Sequence, residues 1–232
     1  MKTVVYVYTM TNDSGFAPCV QNNWLTLSCC KGGLDGGMRK SAAMEFISGN
    51  TVYIIGLCGE QLKTRNEMLF YPVYMAKLDE VIPMTSYYMI NGRAINRIDD
   101  VYTTVNNQLQ PKPNNPHSPA EQEKDKCGMY VLCAHQFTYW GDKCGSSGAE
   151  IERDVLMLPE YTSSIKNAFC SHRGIRKYRV DRNFVEFEIL INKWEWFPKG
   201  DFCNIISNYS ISGKNINDWC CTTKQKASKK RC

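Results

Sequence analysis

Hydrophobic and polar residues alternate along several parts of the chain with the two-residue period of a β-strand. The stretch "KTVVYVYT" at residues 2–9 has this pattern, and residues 22–30, 50–59 and 127–143 are also strand-like. Residues 68–84 are apolar and β-branched, with Pro72 indicating an edge or a bulge. Helices are predicted from "MRKSAAMEFI" at residues 38–47, from Thr85, and over residues 163–171. Residues 182–196 have helical spacing, with a strand as the close alternative.

Strands therefore dominate the first part of the chain, with about six strands and three or four helices in total. This predicts an α+β fold with a curved antiparallel sheet or a partly closed β-barrel and flanking helices. Regular alternation of strands and helices, which a doubly wound parallel sheet requires, is absent from the pattern. Residues 91–126 are polar, with four prolines in "NNQLQPKPNNPHSPAEQEKDK", and predict a long surface loop. Residues 1–222 are predicted to form one domain.

Charge is concentrated at the end of the chain. The 232 residues carry a net charge of +5, and the tail "KQKASKKRC" alone holds five cationic side chains. The rest of the chain is close to neutral, so its basicity does not by itself indicate a nucleic-acid-binding protein. The tail, residues 223–232, has no apolar face to bury and is predicted to be disordered.

Twelve cysteines are present, and their positions form no regular disulfide framework. The N-terminal apolar stretch is rich in Tyr and Thr and has no small-residue cleavage site, so we expect a first strand, reduced thiols and a cytoplasmic protein. No C-x₂-C or C-x₄-C pair occurs, which argues against a structural zinc site, and no cofactor is predicted. No apolar run approaches the ~20 residues needed to span a bilayer, so no membrane partner is expected.

The glycine-rich segment "CCKGGLDGGMRK" at residues 29–40 permits two chemical interpretations. Glycine turns can present backbone N–H groups to an anion, and Lys31 and Arg39 would add full charges, although both common phosphate-loop patterns are absent. Alternatively, Cys30 is a nucleophile beside Lys31, which would lower its pKa. His135 or His172 would then be the base, because His117 falls in the polar loop.

Several stretches together resemble the nucleotide modification associated domain 2 family, which occurs mainly in phage and bacterial genomes. They are "GFAP", "LTLSCCK" with "MRKSA", "YMAKLDEV" followed by "TSYY", "DDVY", and "DKCGMYVLCAHQFTYWG". The resemblance is strongest over residues 1–145 and weaker to about residue 200. The recurring positions of the family correspond to Gly15, Phe16, Pro18, Thr26, Leu27, Cys30, Lys31, Arg39, Asp100, His117, Asp125, Phe137, Tyr139 and Gly141.

The resemblance implies a role around modified nucleotides, and it fits a domain that binds a nucleotide or a modified base, as a barrel of the PUA class would. The partner would be a nucleotide or nucleic acid, DNA rather than RNA. Aromatic side chains on the strand after residue 135 would stack on a base, although a role in the core competes with this. The expected binding residues are Gly15, Phe16, Thr26, Lys31, Arg39, Phe137, Tyr139 and Trp140, with the glycine loop as a mobile rim that grips an anion.

The first alternative is an enzyme acting on a nucleotide or base, with Cys30, His135 and Asp100 as the expected catalytic residues. Asp99, Asp125 and His117 are further candidates for an Asp–His pair, and the same carboxylates could bind a divalent metal. The second alternative is a phage-type interaction protein without a nucleotide role. The sequence leaves open whether the chain is an enzyme.

Overall fold

The computed structural model describes residues 1–10, 13, 15–59, 72–141, 175–179, 185–196 and 199–201. Their largest sheet has six strands in the order β11-β1-β4-β5-β10-β12. The alternating N-terminal stretch forms β1, which pairs in parallel with β4 and antiparallel with β11. The bounds of the six strands are β1 Thr3–Met10, β4 Thr51–Cys58, β5 Pro72–Lys77, β10 Gln136–Tyr139, β11 Ile175–Arg179 and β12 Gly200–Asp201.

A second sheet is antiparallel throughout, in the order β2-β3-β9-β6. Its strands are β2 Cys19–Gln21, β3 Trp24–Leu27, β6 Glu80–Pro83 and β9 Tyr130–Ala134. The third sheet is a hairpin of β7 Tyr102–Val105 and β8 Gln108–Pro111. Asn106 and Asn107 both have positive φ, at 50° and 60°, which suits the tight turn of a hairpin with right-handed twist.

Four helices lie in the described residues: α1 Gly37–Ile47, α2 Met84–Tyr87, α3 Pro119–Cys127 and α4 Val185–Glu195. Helix α1 buries Met38, Ala42 and Ala43 in the same apolar cluster as the inward side chains of β1 and β4. Helix α3 begins with a capping box, in which Ser118 and Glu121 satisfy each other's backbone N–H groups. Both helices bring their ends to the loop that follows β3.

The α+β class predicted from the sequence is confirmed, while none of the sheets in the described part of the chain closes into a barrel. The polar segment before residue 127 is not one long loop, because it contains the β7–β8 hairpin and α3. Of the two alternatives for residues 182–196, the helix is confirmed, because Val185–Glu195 form α4. The helix expected over residues 163–171, His172 and the tail at residues 223–232 lie outside the described residues.

Candidate functional site

A strained turn follows β3 and contains two adjacent cysteines. Cys30 and Lys31 have φ values of 59° and 51°, in the left-handed region that side-chain-bearing residues rarely occupy. Such strain persists only where the surrounding structure holds it, and it is common at functional sites. Cys29 is fully buried, whereas Cys30 is partly exposed, so the turn gives the two thiols different environments.

The Cys30 thiol lies beside a histidine that is far away in sequence. Its Sγ atom is 3.5 Å from Nε2 of His117, which is within hydrogen-bond reach of a sulfur atom. The His117 ring is held on several sides: its backbone N–H donates to Asn115 Oδ1 at 2.9 Å, and its carbonyl accepts from Gln122 Nε2 at 2.7 Å. Phe16 packs edge-on against the ring with the centroids 5.5 Å apart. The imidazole is thus oriented toward Cys30 by its surroundings.

The other ring nitrogen, Nδ1 of His117, is hydrogen-bonded to the carboxylate of Asp125. Asp125 lies in the last turn of α3 and is buried. Its carboxylate also accepts the backbone N–H of Cys30 at 2.7 Å and the hydroxyl of Tyr102 at 3.0 Å. Asp125 therefore contacts both the backbone of Cys30 and the ring beside its thiol, which fixes the geometry of all three groups.

The surroundings of His117 favour the protonated form of its ring. Burial lowers the pKa of His117, but the hydrogen bonds to Asp125 and Cys30 and the charges of those two residues outweigh burial and raise it to about 11. An imidazolium at hydrogen-bond distance favours the thiolate form of a cysteine. The arrangement of thiol, imidazole and carboxylate is that of a nucleophile, its proton carrier and an orienting group.

Arg39 lies beneath this arrangement and is fully buried. Its guanidinium donates hydrogen bonds to the carbonyl oxygens of Ser28 (2.6 Å), Cys30 (2.8 Å), Tyr130 (2.9 Å) and Asp125. In the part of the chain that the structure describes, no carboxylate forms an ion pair with it. Arg39 therefore faces the interior, where it joins the Cys30 turn to the end of α3, instead of facing an incoming phosphate as the sequence suggested.

The glycine loop packs closely against α3. A Cβ atom on Gly32 would lie 1.9 Å from the carbonyl oxygen of Lys124, and one on Gly128 would lie 2.3 Å from Nη2 of Arg39. These contacts explain the need for glycine at both positions, because a side chain at Gly32 would separate the loop from α3, and one at Gly128 would collide with the buried guanidinium of Arg39. The sequence predicts that this loop is a mobile rim. At Gly32, however, the loop is packed between Cys30 and α3, the helix that carries Asp125.

The other residues expected to be catalytic lie elsewhere. His135 is exposed, stacks on Trp24 with centroids 5.7 Å apart, and hydrogen-bonds to Asp79 at 3.0 Å. Asp100 pairs with Lys112 at 2.7 Å. Neither contact involves Cys30. The structure therefore places His117 and Asp125 next to Cys30, whereas His135 and Asp100 form hydrogen bonds with other residues.

Most residues expected to bind a base are in the interior. Phe137, Tyr139 and Trp140 each have 0% exposure, so none offers a ring face for stacking. Thr26 is also buried and donates its hydroxyl to Asp99 at 2.7 Å. Gly15 adopts a positive φ of 75° next to Phe16, and Phe16 contacts the catalytic candidate His117. Lys31 is partly exposed, with its ammonium 4.6 Å from the centre of the Tyr8 ring.

Sequence reasoning named His117 and Asp125 only as alternatives, because it assigned both to a loop. The missed signal is "SPAE" directly after His117: Ser118, Pro119 and Glu121 form a helix start with a capping box. A helix beginning there carries Asp125 two turns further on, where its side chain leans back toward the start of the helix. The sequence thus contained a reason to pair these two residues.

In the described ranges, no group of three or more His, Cys, Asp or Glu residues has the geometry to hold a metal ion. Those ranges also contain no helix with the length and apolarity to cross a membrane.

Comparison with known proteins identifies the family of the chain. Curated proteins and solved structures give no match to the chain. The family model described as nucleotide modification associated domain 2 matches residues 2–204, which includes the Cys30 turn, α3 and every described strand. The chain therefore belongs to the nucleotide modification associated domain 2 family.

Proposed function

We propose that the chain is a thiol-dependent enzyme that acts on a nucleotide or base in a nucleotide modification system. Cys30 is the nucleophile, His117 transfers protons, and Asp125 orients the His117 ring. The observation that carries the proposal is the continuous series of contacts from Cys30 Sγ, 3.5 Å from His117 Nε2, through the ring to the Asp125 carboxylate. Family membership supplies the nucleotide context.

This arrangement suits acyl transfer at a carbonyl carbon attached to a nucleotide or a modified base. The thiolate of Cys30 forms an S–C bond with that carbon, and the bond from the carbon to the leaving oxygen or nitrogen breaks. The leaving group departs with the electron pair and takes the proton from His117 Nε2. Water then attacks the thioester, giving a proton to His117 and releasing the Cys30 thiolate.

The alternative of a domain that only binds bases is less well supported. It requires an exposed aromatic face, and the three aromatic residues proposed for it are fully buried. A binding domain also has no use for a buried His–Asp pair directed at a partly exposed thiol. The DNA context and the phage connection are parts of this proposal that rest on the family association alone, and a cytoplasmic location is a part that rests on the strand-like pattern of the N-terminal stretch.

The test compares the alkylation rates of single cysteines. Iodoacetamide is added at neutral pH, and peptide mapping by mass spectrometry follows Cys30 and, as an internal control, the partly exposed Cys127. Because an ordinary thiol is only a few per cent thiolate at neutral pH, Cys30 should react about tenfold to thirtyfold faster than Cys127. His117→Gln should bring Cys30 down to the rate of Cys127.

Equal rates for the two cysteines in the wild-type protein would contradict the proposal. A second arm incubates the protein with acylated nucleosides and nucleotides and searches for a thioester by intact mass. The thioester should form on the wild-type protein and not on Cys30→Ser, while Cys127→Ser should behave like the wild type.

A further inference from the structure

A cation without a carboxylate partner lies directly next to the nucleophile. Lys31 follows Cys30 in the strained turn, and its ammonium rests over the ring of Tyr8 at 4.6 Å. Among the residues that the structure describes, no carboxylate lies within ion-pair distance of Lys31. A cation over an aromatic ring is held only weakly, and Lys31 is partly exposed, so its charge is available to a ligand.

Below Lys31, two buried phenols share a hydrogen bond. The hydroxyls of Tyr8 and Tyr74 are 2.8 Å apart, and the two residues are 1% and 0% exposed. One hydrogen bond uses only one of the two hydroxyl hydrogens. Within the described ranges, the second hydrogen has no acceptor. A buried donor without an acceptor is costly, unless a ligand supplies the acceptor.

Both phenols keep their hydroxyl hydrogens at neutral pH. Burial is the main reason that the pKa of Tyr8 lies well above its ordinary value, and the neighbouring Tyr74, Cys30 and Asp13 raise it further. Burial likewise raises the pKa of Tyr74. The effect of Cys30 on Tyr8 also indicates that the phenol and the thiol lie within electrostatic reach of each other.

We propose that Lys31 and the Tyr8–Tyr74 hydroxyl pair form an anion subsite beside Cys30 that takes the phosphate of a nucleotide substrate. A full positive charge and a neutral hydroxyl donor both suit phosphate oxygens. This inference rests on the proposed function and narrows its substrate class from any nucleoside or base to a phosphate-bearing nucleotide. Lys31 and the phenols bind the phosphate, while Cys30 attacks a carbon elsewhere on the same molecule.

The experiment measures binding by calorimetry, using Cys30→Ser so that no reaction can occur. The probes are inorganic phosphate, thymidine 5′-monophosphate and thymidine. Phosphate and the monophosphate should bind, and thymidine should bind at least about tenfold more weakly than the monophosphate, because it lacks the charge-assisted contacts. Adding Lys31→Gln should weaken the binding of the monophosphate about tenfold or more, and Tyr74→Phe should weaken it by a smaller factor.

Lys40→Gln is the matched control, because Lys40 is an exposed lysine on the first turn of α1 in the same segment. It should leave the affinity unchanged. Equal losses in the Lys31 and Lys40 variants, or equal affinities for thymidine and its monophosphate, would overturn the subsite. Thermal melting of each variant checks that Lys31→Gln and Tyr74→Phe remain folded.

A short oligothymidylate distinguishes the two sources of phosphate. If it binds more tightly than the monophosphate and depends on Lys31, the substrate is a nucleotide within a strand, whereas the reverse order indicates a free nucleotide. Both results support the subsite. Since binding is measured on a protein without the Cys30 thiol, an unreactive Cys30 would defeat the proposed function and leave this result standing.

Discussion

Two buried carboxylates, one hydrogen-bonded to β3 and one to the turn that follows it, have very different neighbours. Asp99 accepts hydrogen bonds from Thr26 Oγ1 at 2.7 Å and Tyr87 OH at 3.0 Å, and it pairs with Arg97 at 3.2 Å. Asp125 accepts hydrogen bonds from the backbone of Cys30 and from Tyr102, and its third partner is His117. Both carboxylates are well satisfied, so burial and hydrogen bonding do not distinguish them.

The difference lies in which partners can exchange a proton near neutral pH. Burial lowers the pKa of Arg97, but the neighbouring carboxylate of Asp99 favours its charged form, so Arg97 remains charged. Burial raises the pKa of Tyr87. All of Asp99's partners are thus fixed in one protonation state. Asp125 is linked through a histidine to a partly exposed thiol. A buried carboxylate indicates chemistry only when a proton carrier and an accessible nucleophile follow it.

The largest expected effect is on the Asp99 cluster. Asp99→Asn leaves Arg97 as a buried charge without its counter-ion, which should lower the free energy of unfolding by about 3–5 kcal/mol. Urea denaturation measures this. Asp100→Asn is the control: its ion pair with Lys112 is partly exposed, so the loss should be ~1 kcal/mol or less. Equal losses in the two variants would mean that Asp99 does not stabilise the fold as described.

Asp125→Asn should act on reactivity more than on stability. Removing the charge that holds the imidazolium should lower the Cys30 alkylation rate at neutral pH by about tenfold, because the thiolate loses its charged partner. Iodoacetamide kinetics with peptide mapping measure the rate, and Asp100→Asn should retain the wild-type value. If Asp125→Asn kept the wild-type alkylation rate, Asp125 would, like Asp99, only stabilise the fold.

Arg39 tests whether charge balance contributes to the site. With Cys30 as thiolate and His117 as imidazolium, Arg39 and Asp125 complete a set of two positive and two negative charges. Arg39→Met removes one positive charge and should raise the pKa of the Cys30 thiol, while Arg39→Lys should raise it less. The pH dependence of alkylation reports that pKa.

Both Arg39 variants lose hydrogen bonds to buried carbonyls and should be destabilised by ~2 kcal/mol or more. Stability therefore does not separate them. Identical pH profiles in Arg39→Met and Arg39→Lys would show that Arg39 acts only by holding the backbone together.

The smallest expected effect concerns the His117 ring, which should not titrate near neutral pH. The pKa of His117 is raised from 6.5 to about 11, so its ring should stay protonated from about pH 6 to about pH 8, which ring NMR shifts can show. A raised pKa means that the folded state binds the proton more tightly than the unfolded state. The stability from His117 is therefore complete below about pH 6.5 and falls as the pH rises toward about 11.

Urea denaturation at a series of pH values measures how the stability contributed by His117 changes with pH. The difference in unfolding free energy between the wild type and His117→Gln should be largest at the acidic end and shrink in alkaline solution. A difference that grows with pH would indicate a neutral ring in the folded protein.

The sequence predicted the α+β class, the alternating strand β1 and the start of α1. It did not pair Cys30 with His117, because 87 residues separate them and only the packing of α3 against the glycine loop brings them together. Arg39 shows a second limit. A cation beside glycines suggests an anion site, and the backbone carbonyls that hold it instead have no signature in the sequence.

Helix α3 also limits where residues can be inserted or deleted in this part of the chain. It starts directly after His117 and carries Asp125 near its end, so the eight-position separation of these residues depends on helical rotation. Inserting or deleting one residue within α3 would turn the Asp125 side chain by about 100° and move it away from the imidazole. We therefore expect family members that keep this interval to preserve the contact between the carboxylate and the imidazole, and those with a one-residue indel inside the helix to lose it. The length of this short helix thus predicts whether the contact between Asp125 and His117 can form.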